Sequence, residues 1–429
     1  MTHMVASRLP GNAPEMVSST ISRLLFFGGR YLSLLLVARL IGADAASFLL
    51  TIAILEFFRI LFDYGMENSV LARFHQQEGV EADEFLRGKG RVRLVATLIG
   101  QCVTTGVVAL LCLRNDTPMT LPLVASLQFS CLMGFGYLQA HLQTGQPGGM
   151  AALMRPLILA IILQGALLTL AHYGVVPIWL CAISFEIMAL IACAIVARRF
   201  RRGSITHTTV SEISSSGFDL AAFRKVLLRI APLGNVALIG VAYTRVDVFV
   251  VSWVAAGALL TQYLIYQRLA SAPLMFFSTV ASVSIASLSD ARSCPENLPE
   301  KIVRFRRLGY AAAAASGGAL VVASPLVASF FLLETVDLKL LGLQGLVLAL
   351  QIANGFHAAL MIALQKSTRL WSIARNNTVL AAFLLPLCAW KLGAVGVALA
   401  LCVVELFCAA QYVWLFHNTS RLGDRSYAK

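Results

Sequence analysis

Arg30 stands in the middle of LLFFGGRYLSLLLVARLIG, residues 24–42. The run is otherwise apolar and long enough to cross a bilayer, for which about 20 such residues suffice. A charge at the centre of a span costs on the order of 2.5–3.5 kcal/mol on insertion scales, so it needs a partner or a purpose. Arg30 has no acid three or four residues away, so its partner comes from another helix or from a ligand. A guanidinium presents a planar fork of donors that matches two phosphate oxygens, and a phosphate or diphosphate is the chemistry it suits.

Other residues raise the same question. Arg245 also lacks an acid at helical spacing, and Asp247, two residues on, points to a different side of the helix. Arg268 lies beside Tyr263, Tyr266 and Gln267. Glu56, Arg59 and Asp63 follow the spacing i, i+3, i+7 on one helix face, so Arg59 can bridge both acids in a self-neutralised ladder. The candidates for contact with an anionic substrate are therefore Arg30, Arg59, Arg245 and Arg268. Glu56, Asp63 and Asp247 are the candidate cavity acids, able to respond to a proton or a cation. The competing reading pairs the arginines with Asp63, Asp247 or Glu56 across helices. Glu186 and Glu405 read as bonds between neighbouring helices. His141, His172 and His357 have no metal-ligand spacing, and no nucleophile–base constellation or cofactor motif is present.

These side chains must be positioned by membrane helices. Hydrophobic residues make up 58% of the 429-residue chain and charged residues only 13%, about half the charge of a soluble protein. Apolar runs of spanning length fall at 21–41, 45–69, 92–113, 119–142, 150–171, 175–197, 226–252, 258–288, 306–332, 340–364, 370–390 and 394–416. This predicts an all-α membrane protein of twelve transmembrane helices. Kinks are expected at Pro273 in run eight and at Ser316-Gly317-Gly318 and Pro325 in run nine. The first 18 residues lack the pattern of a removable signal peptide. The nine cysteines lie mostly inside apolar runs and read as small buried hydrophobes.

The net charge of +13 encodes topology. With both termini in the cytoplasm, the inward segments collect 25 Lys and Arg, and the outward loops hold only Arg39, Arg114, Lys339 and Lys391. Basic residues confined to short loops between spans exclude a nucleic-acid partner. The sequence therefore divides into a polar N-terminus (1–18), an N-lobe of six spans (19–197), a basic cytoplasmic linker (198–225), a C-lobe of six spans (226–416) and a tail (417–429). The linker's arginines are placed to touch anionic lipid headgroups or to act as a topology signal alone.

The halves echo each other. Gly174 and Gly393 open the last span of each half, and each is followed twelve residues later by a glutamate, Glu186 and Glu405. A shift of 215 carries Gly42 to Gly257, Phe48 to Tyr263 and Arg30 to Arg245. Six-span repeats are a common transporter plan, with substrate held near the midplane at the repeat interface.

Four stretches resemble the polysaccharide and O-antigen flippases of the multidrug/oligosaccharidyl-lipid/polysaccharide (MOP) exporter superfamily. They are the first helix running into LLVARLIGADAASFLLTIAILEFF, then LFDYGMENSVLARF with its Asp-x-Gly turn, APLGNVALIGVAYTRVDVFVVSWVAAGALLTQYLIYQRL, and LGAVGVALALCVVEL. Two positions depart from the family pattern, where Gly-x-Tyr/Phe is replaced by Ala46-Ser47-Phe48 and by Thr261-Gln262-Tyr263. The resemblance implies two six-helix lobes around a central cavity. It also implies the flipping of an undecaprenyl-diphosphate-linked oligosaccharide across the bacterial inner membrane for exopolysaccharide, capsule or O-antigen synthesis. Membrane lipids, and a polysaccharide polymerase with export proteins, would be its partners. No cofactor is implied, and the sequence does not say whether H+ or Na+ couples to transport. A drug or cation antiporter of the same superfamily is the alternative, and it would be expected to carry a cavity dominated by acids. An enzyme, such as a membrane glycosyltransferase or polymerase, would need a larger outward loop than any present.

Overall fold

A computed structural model describes residues 13–42, 45–64, 80–114, 118–145, 148–203, 246–255, 257–291, 298–331, 336–364 and 366–422. Helices dominate, and no strand occurs among the described residues. The chain divides into two compact units, Met1–Leu238 and Ile239–Lys429.

The first unit contains α1 (Ala13–Ile41), α2 (Ala45–Asp63), α3 (Val80–Arg114), α4 (Thr120–Ser126), α5 (Gln128–Gly145), α6 (Gly149–His172) and α7 (Ile178–Gly203). α1 packs against α6 and α7, α6 against α7, and α7 against α5. The core is aromatic: Phe26 stacks on Phe135 at 3.7 Å between ring centroids, and Phe185 packs on the same ring. Close approach needs a small residue on α1. A Cβ at Gly29 would sit 2.8 Å from Ile161 and 2.9 Å from Phe185. α2 stops at Tyr64, which takes a positive φ of 46°, uncommon for a residue with a side chain. This is the Asp-x-Gly turn of the motif, and its Gly65 lies outside the described residues.

The expected fourth span is two helices. Leu127 interrupts it, and Gln101 of α3 serves the backbone on both sides. The Gln101 amide donates to the Ser126 carbonyl at 3.2 Å, and its carbonyl oxygen accepts from the Ser130 N–H at 3.3 Å. A break inside a membrane is tolerated where a neighbouring side chain satisfies the freed groups. α7 runs to Gly203, so the first six residues of the expected linker are helical. Arginines suit a helix C-terminus, where they complement its dipole.

The second unit contains α8 (246–254), α9 (Gly257–Ala291), α10 (Leu298–Val322), α11 (Ser324–Phe331), α12 (Leu338–Ala363) and α13 (Ser367–Leu422). α12 is central, packing on α9, α10 and α13. Gly317 of α10 meets Gly345 of α12 so closely that a Cβ at Gly317 would lie 2.6 Å from the Gly345 carbonyl oxygen. Such small-residue crossings let membrane helices approach at backbone distance. α10 and α11 bend by 50° around Ala323. Pro325 there has no N–H to give to the Val321 carbonyl. α9 continues through Pro273. α13 breaks at Gly393, at φ 59° and ψ −141°. Gly174 has φ 73°, so the two glycines that open the last span of each half share a backbone conformation that L side chains rarely adopt.

Eight of the described helices are long and apolar enough to cross a membrane, or nine if α10 and α11 form one bent span. One of the eight, Arg369–Phe416, has 48 residues, more than a single crossing requires, and Gly393 divides it. The protein is a multi-pass membrane protein.

Candidate functional site

Arg30 is buried in the first unit, 2% exposed, and its three arms reach three helices. Nη1 donates to Glu56 Oε1 of α2 at 2.7 Å, Nε to Glu186 Oε1 of α7 at 3.2 Å, and Nη2 to Gln128 Oε1 of α5 at 3.3 Å. Each contact has a local cause. Gly29 keeps α1 slim beside Arg30, where Ile161 and Phe185 pack against it. The break at Leu127 starts α5 at Gln128, whose amide also bonds the Ala182 carbonyl of α7. The competing reading of Arg30 is therefore the observed one, with Glu56 as cross-helix partner and Glu186 as a second. One guanidinium faces two carboxylates, so with both ionised the cluster carries a surplus negative charge.

The ladder expected on α2 is not formed. Glu56 bonds Arg30, and Asp63 bonds Arg93 Nη1 of α3 at 2.5 Å. Arg59 is half-buried and makes no ion pair with a described residue. Cross-helix pairs win because they neutralise groups that are already dehydrated, whereas an i, i+3 or i+4 pair contributes only about 0.2–0.5 kcal/mol. Arg93 is one of the 25 basic residues that the charge bias assigns to inward segments. It is 5% exposed, donates to the Met133 carbonyl at 3.0 Å and lies over the Tyr137 ring. The available signal was its position: Asp63 ends α2, and Arg93 lies at the start of the apolar stretch Val92–Arg114 that follows.

In the second unit, Asp247 is 2% exposed and held by α9. Tyr263 Oη donates to its Oδ2 at 2.6 Å, and Gln267 Nε2 approaches the same oxygen at 3.2 Å. Tyr263 and Gln267 are one helical turn apart, which aims both at one carboxylate. Arg268, the next residue, is buried at 1% exposed. Arg245 lies outside the described residues.

Beside Asp247 a cavity of about 210 Å³ opens, lined by Gln267, Gln344, Asn354, Glu405 and Tyr412 among others. Among the described residues its lining includes two carboxylates and no lysine or arginine. Asn354 Nδ2 donates to Glu405 Oε2 at 2.7 Å and to the Glu405 carbonyl at 3.0 Å. Gln267 Oε1, Gln344 Nε2 and Asn354 Oδ1 are buried without a hydrogen-bond partner among the described residues. A cavity of this size holds several waters or a small polar ligand, and its charge suits a cation or an exchanging proton. Sequence reasoning missed Gln344 and Asn354, which are single polar residues on an apolar helix with no motif around them.

Glu186 and Glu405 thus sit at matching places in chemically different surroundings. Glu186 neutralises Arg30, whereas Glu405 takes an uncharged amide and faces the cavity.

No family model matches the chain, and no curated protein matches it by sequence. Solved structures do match in fold. An inward-facing multidrug resistance MATE family transporter of the MOP superfamily aligns over 95% of this chain and 96% of its own, with TM-score 0.64 and 12% identity. The lipid II flippase MurJ in an inward closed conformation aligns over 94% of this chain and 87% of its own, with TM-score 0.65 and 16% identity. A MOP superfamily transporter from Pyrococcus furiosus, described as having a binding pocket of reverse polarity, aligns over 95% and 96%, with TM-score 0.65 and 13% identity. This chain shares the fold of the MATE and MurJ-like membrane transporters.

Proposed function

We propose that the protein is a flippase that moves an undecaprenyl-diphosphate-linked oligosaccharide across the bacterial inner membrane by alternating access, with twelve spans and both termini in the cytoplasm. One observation carries the reading. A chain whose motifs resemble polysaccharide flippases at four separated places shares its fold, over 94% of its length, with the lipid II flippase MurJ. The diphosphate would meet Arg245 and Arg268, the arginines that flank Asp247 and Gln267 in the sequence, while Arg30 holds the N-lobe helices together. The C-lobe cavity with Asp247 and Glu405 is the place for a coupling proton or cation. A polymerase and export proteins would take the flipped unit.

The cation antiporter is the second reading, and the acid-lined cavity favours it. The two part in one experiment. In a polymer-producing strain lacking its own copy, Arg245→Gln and Arg268→Gln variants that accumulate normally are expected to lose export of the polymer. If both export normally while the wild-type protein expels a cationic dye, the flippase reading fails.

A further inference from the structure

The outer face of the first unit carries a groove of about 700 Å³ between α6 and α7. Arg155 and Arg199 both line it, with Ala151, Pro156, Leu159 and Ile195 forming its apolar walls. The helices run antiparallel, and both arginines lie near the same end: Arg155 is in the second turn of α6 and Arg199 in the last turns of α7. That end is the one the charge bias assigns to the cytoplasm.

Three features separate this groove from a general basic fringe. First, both arginines are exposed, and neither pairs with an acid among the described residues. The apolar faces continue beyond Leu159 and Ile195 into exposed Ile162 and Ile191. A guanidinium pair opening onto an apolar trough is complementary to an anionic head with acyl chains attached. Second, Pro156 has no N–H, so the Ala152 carbonyl loses its usual donor four residues on. Ala152 lines the same groove. Third, the volume lies in the range of ligand clefts, about 300–1,000 Å³.

We propose that this groove binds one anionic phospholipid of the cytoplasmic leaflet. Its phosphate is held by Arg155 and Arg199, and its chains lie along α6 and α7. The site lies within the first unit and does not depend on what the protein transports.

The test uses the purified full chain and phosphatidylglycerol, with retained lipid counted by native mass spectrometry. Wild-type protein is expected to retain phosphatidylglycerol in preference to phosphatidylcholine. Each of Arg155→Gln and Arg199→Gln should weaken retention about tenfold, the size of one charge-assisted hydrogen bond. Arg198→Gln, one residue outside the groove, should leave it unchanged, and inorganic phosphate at matched concentration should not compete. The proposal is overturned if the double variant retains as much phosphatidylglycerol as wild type, or if Arg198→Gln loses as much as Arg199→Gln. It also fails if phosphate alone displaces the lipid, or if the groove arginines instead hold a co-released polypeptide.

Discussion

Replacing Arg30 with glutamine isolates the central claim about the first unit. The substitution removes donors from Glu56, Glu186 and Gln128 together and leaves two dehydrated carboxylates without their cation. Removing one partner of a buried ion pair costs about 3–5 kcal/mol, which lowers the folded-to-unfolded ratio by roughly a hundredfold or more. The loss is chiefly uncompensated charge, so neutralising an acid should restore part of it. Arg30→Gln with Glu186→Gln should recover about 1–3 kcal/mol, a coupling of the size found between groups in contact. The assay is thermal unfolding in detergent, read by a thiol-reactive dye. It suits this chain because Cys112, Cys181, Cys193, Cys402 and Cys408 are buried until it unfolds. The reasoning is refuted if Arg30→Gln melts like wild type, or if the double variant melts no higher than the single one. Normal melting combined with lost export would instead mark Arg30 as a substrate contact.

Further outcomes follow from other contacts. Asp63→Asn should destabilise by about 2–4 kcal/mol by leaving Arg93 uncompensated, whereas Arg59→Gln should change the melting temperature little; equal effects would restore the ladder on α2. Gly317→Ala drives a methyl group against the Gly345 backbone and should cost about 1–3 kcal/mol, while Gly318→Ala, which meets open space, should be nearly neutral by the same assay. Glu405→Gln keeps an acceptor for Asn354 and should preserve folding while removing any dependence of transport on an ion gradient. Unchanged gradient dependence in proteoliposomes would move the coupling site elsewhere.

Residue order alone determined much of the architecture. Hydropathy located the helices because a bilayer demands about 20 apolar residues from any crossing. The paired positions of Gly174 and Gly393 were legible because a special backbone conformation selects glycine locally. Buried charges were also legible, since a guanidinium in an apolar run is costly in any fold. Their partners were not. Arg30 meets acids 26 and 156 residues away, and Arg93 was hidden among loop arginines until Asp63 lay against it. Local spacing favoured the ladder of Glu56, Arg59 and Asp63, yet each acid found its cation on another helix. The same holds for the cavity around Glu405, where isolated polar residues from distant segments become a site only when four helices converge. Composition and periodicity report what each helix must do with solvent. Which charge neutralises which depends on how the helices pack, because inside a membrane the nearest dehydrated partner outweighs the nearest one in sequence.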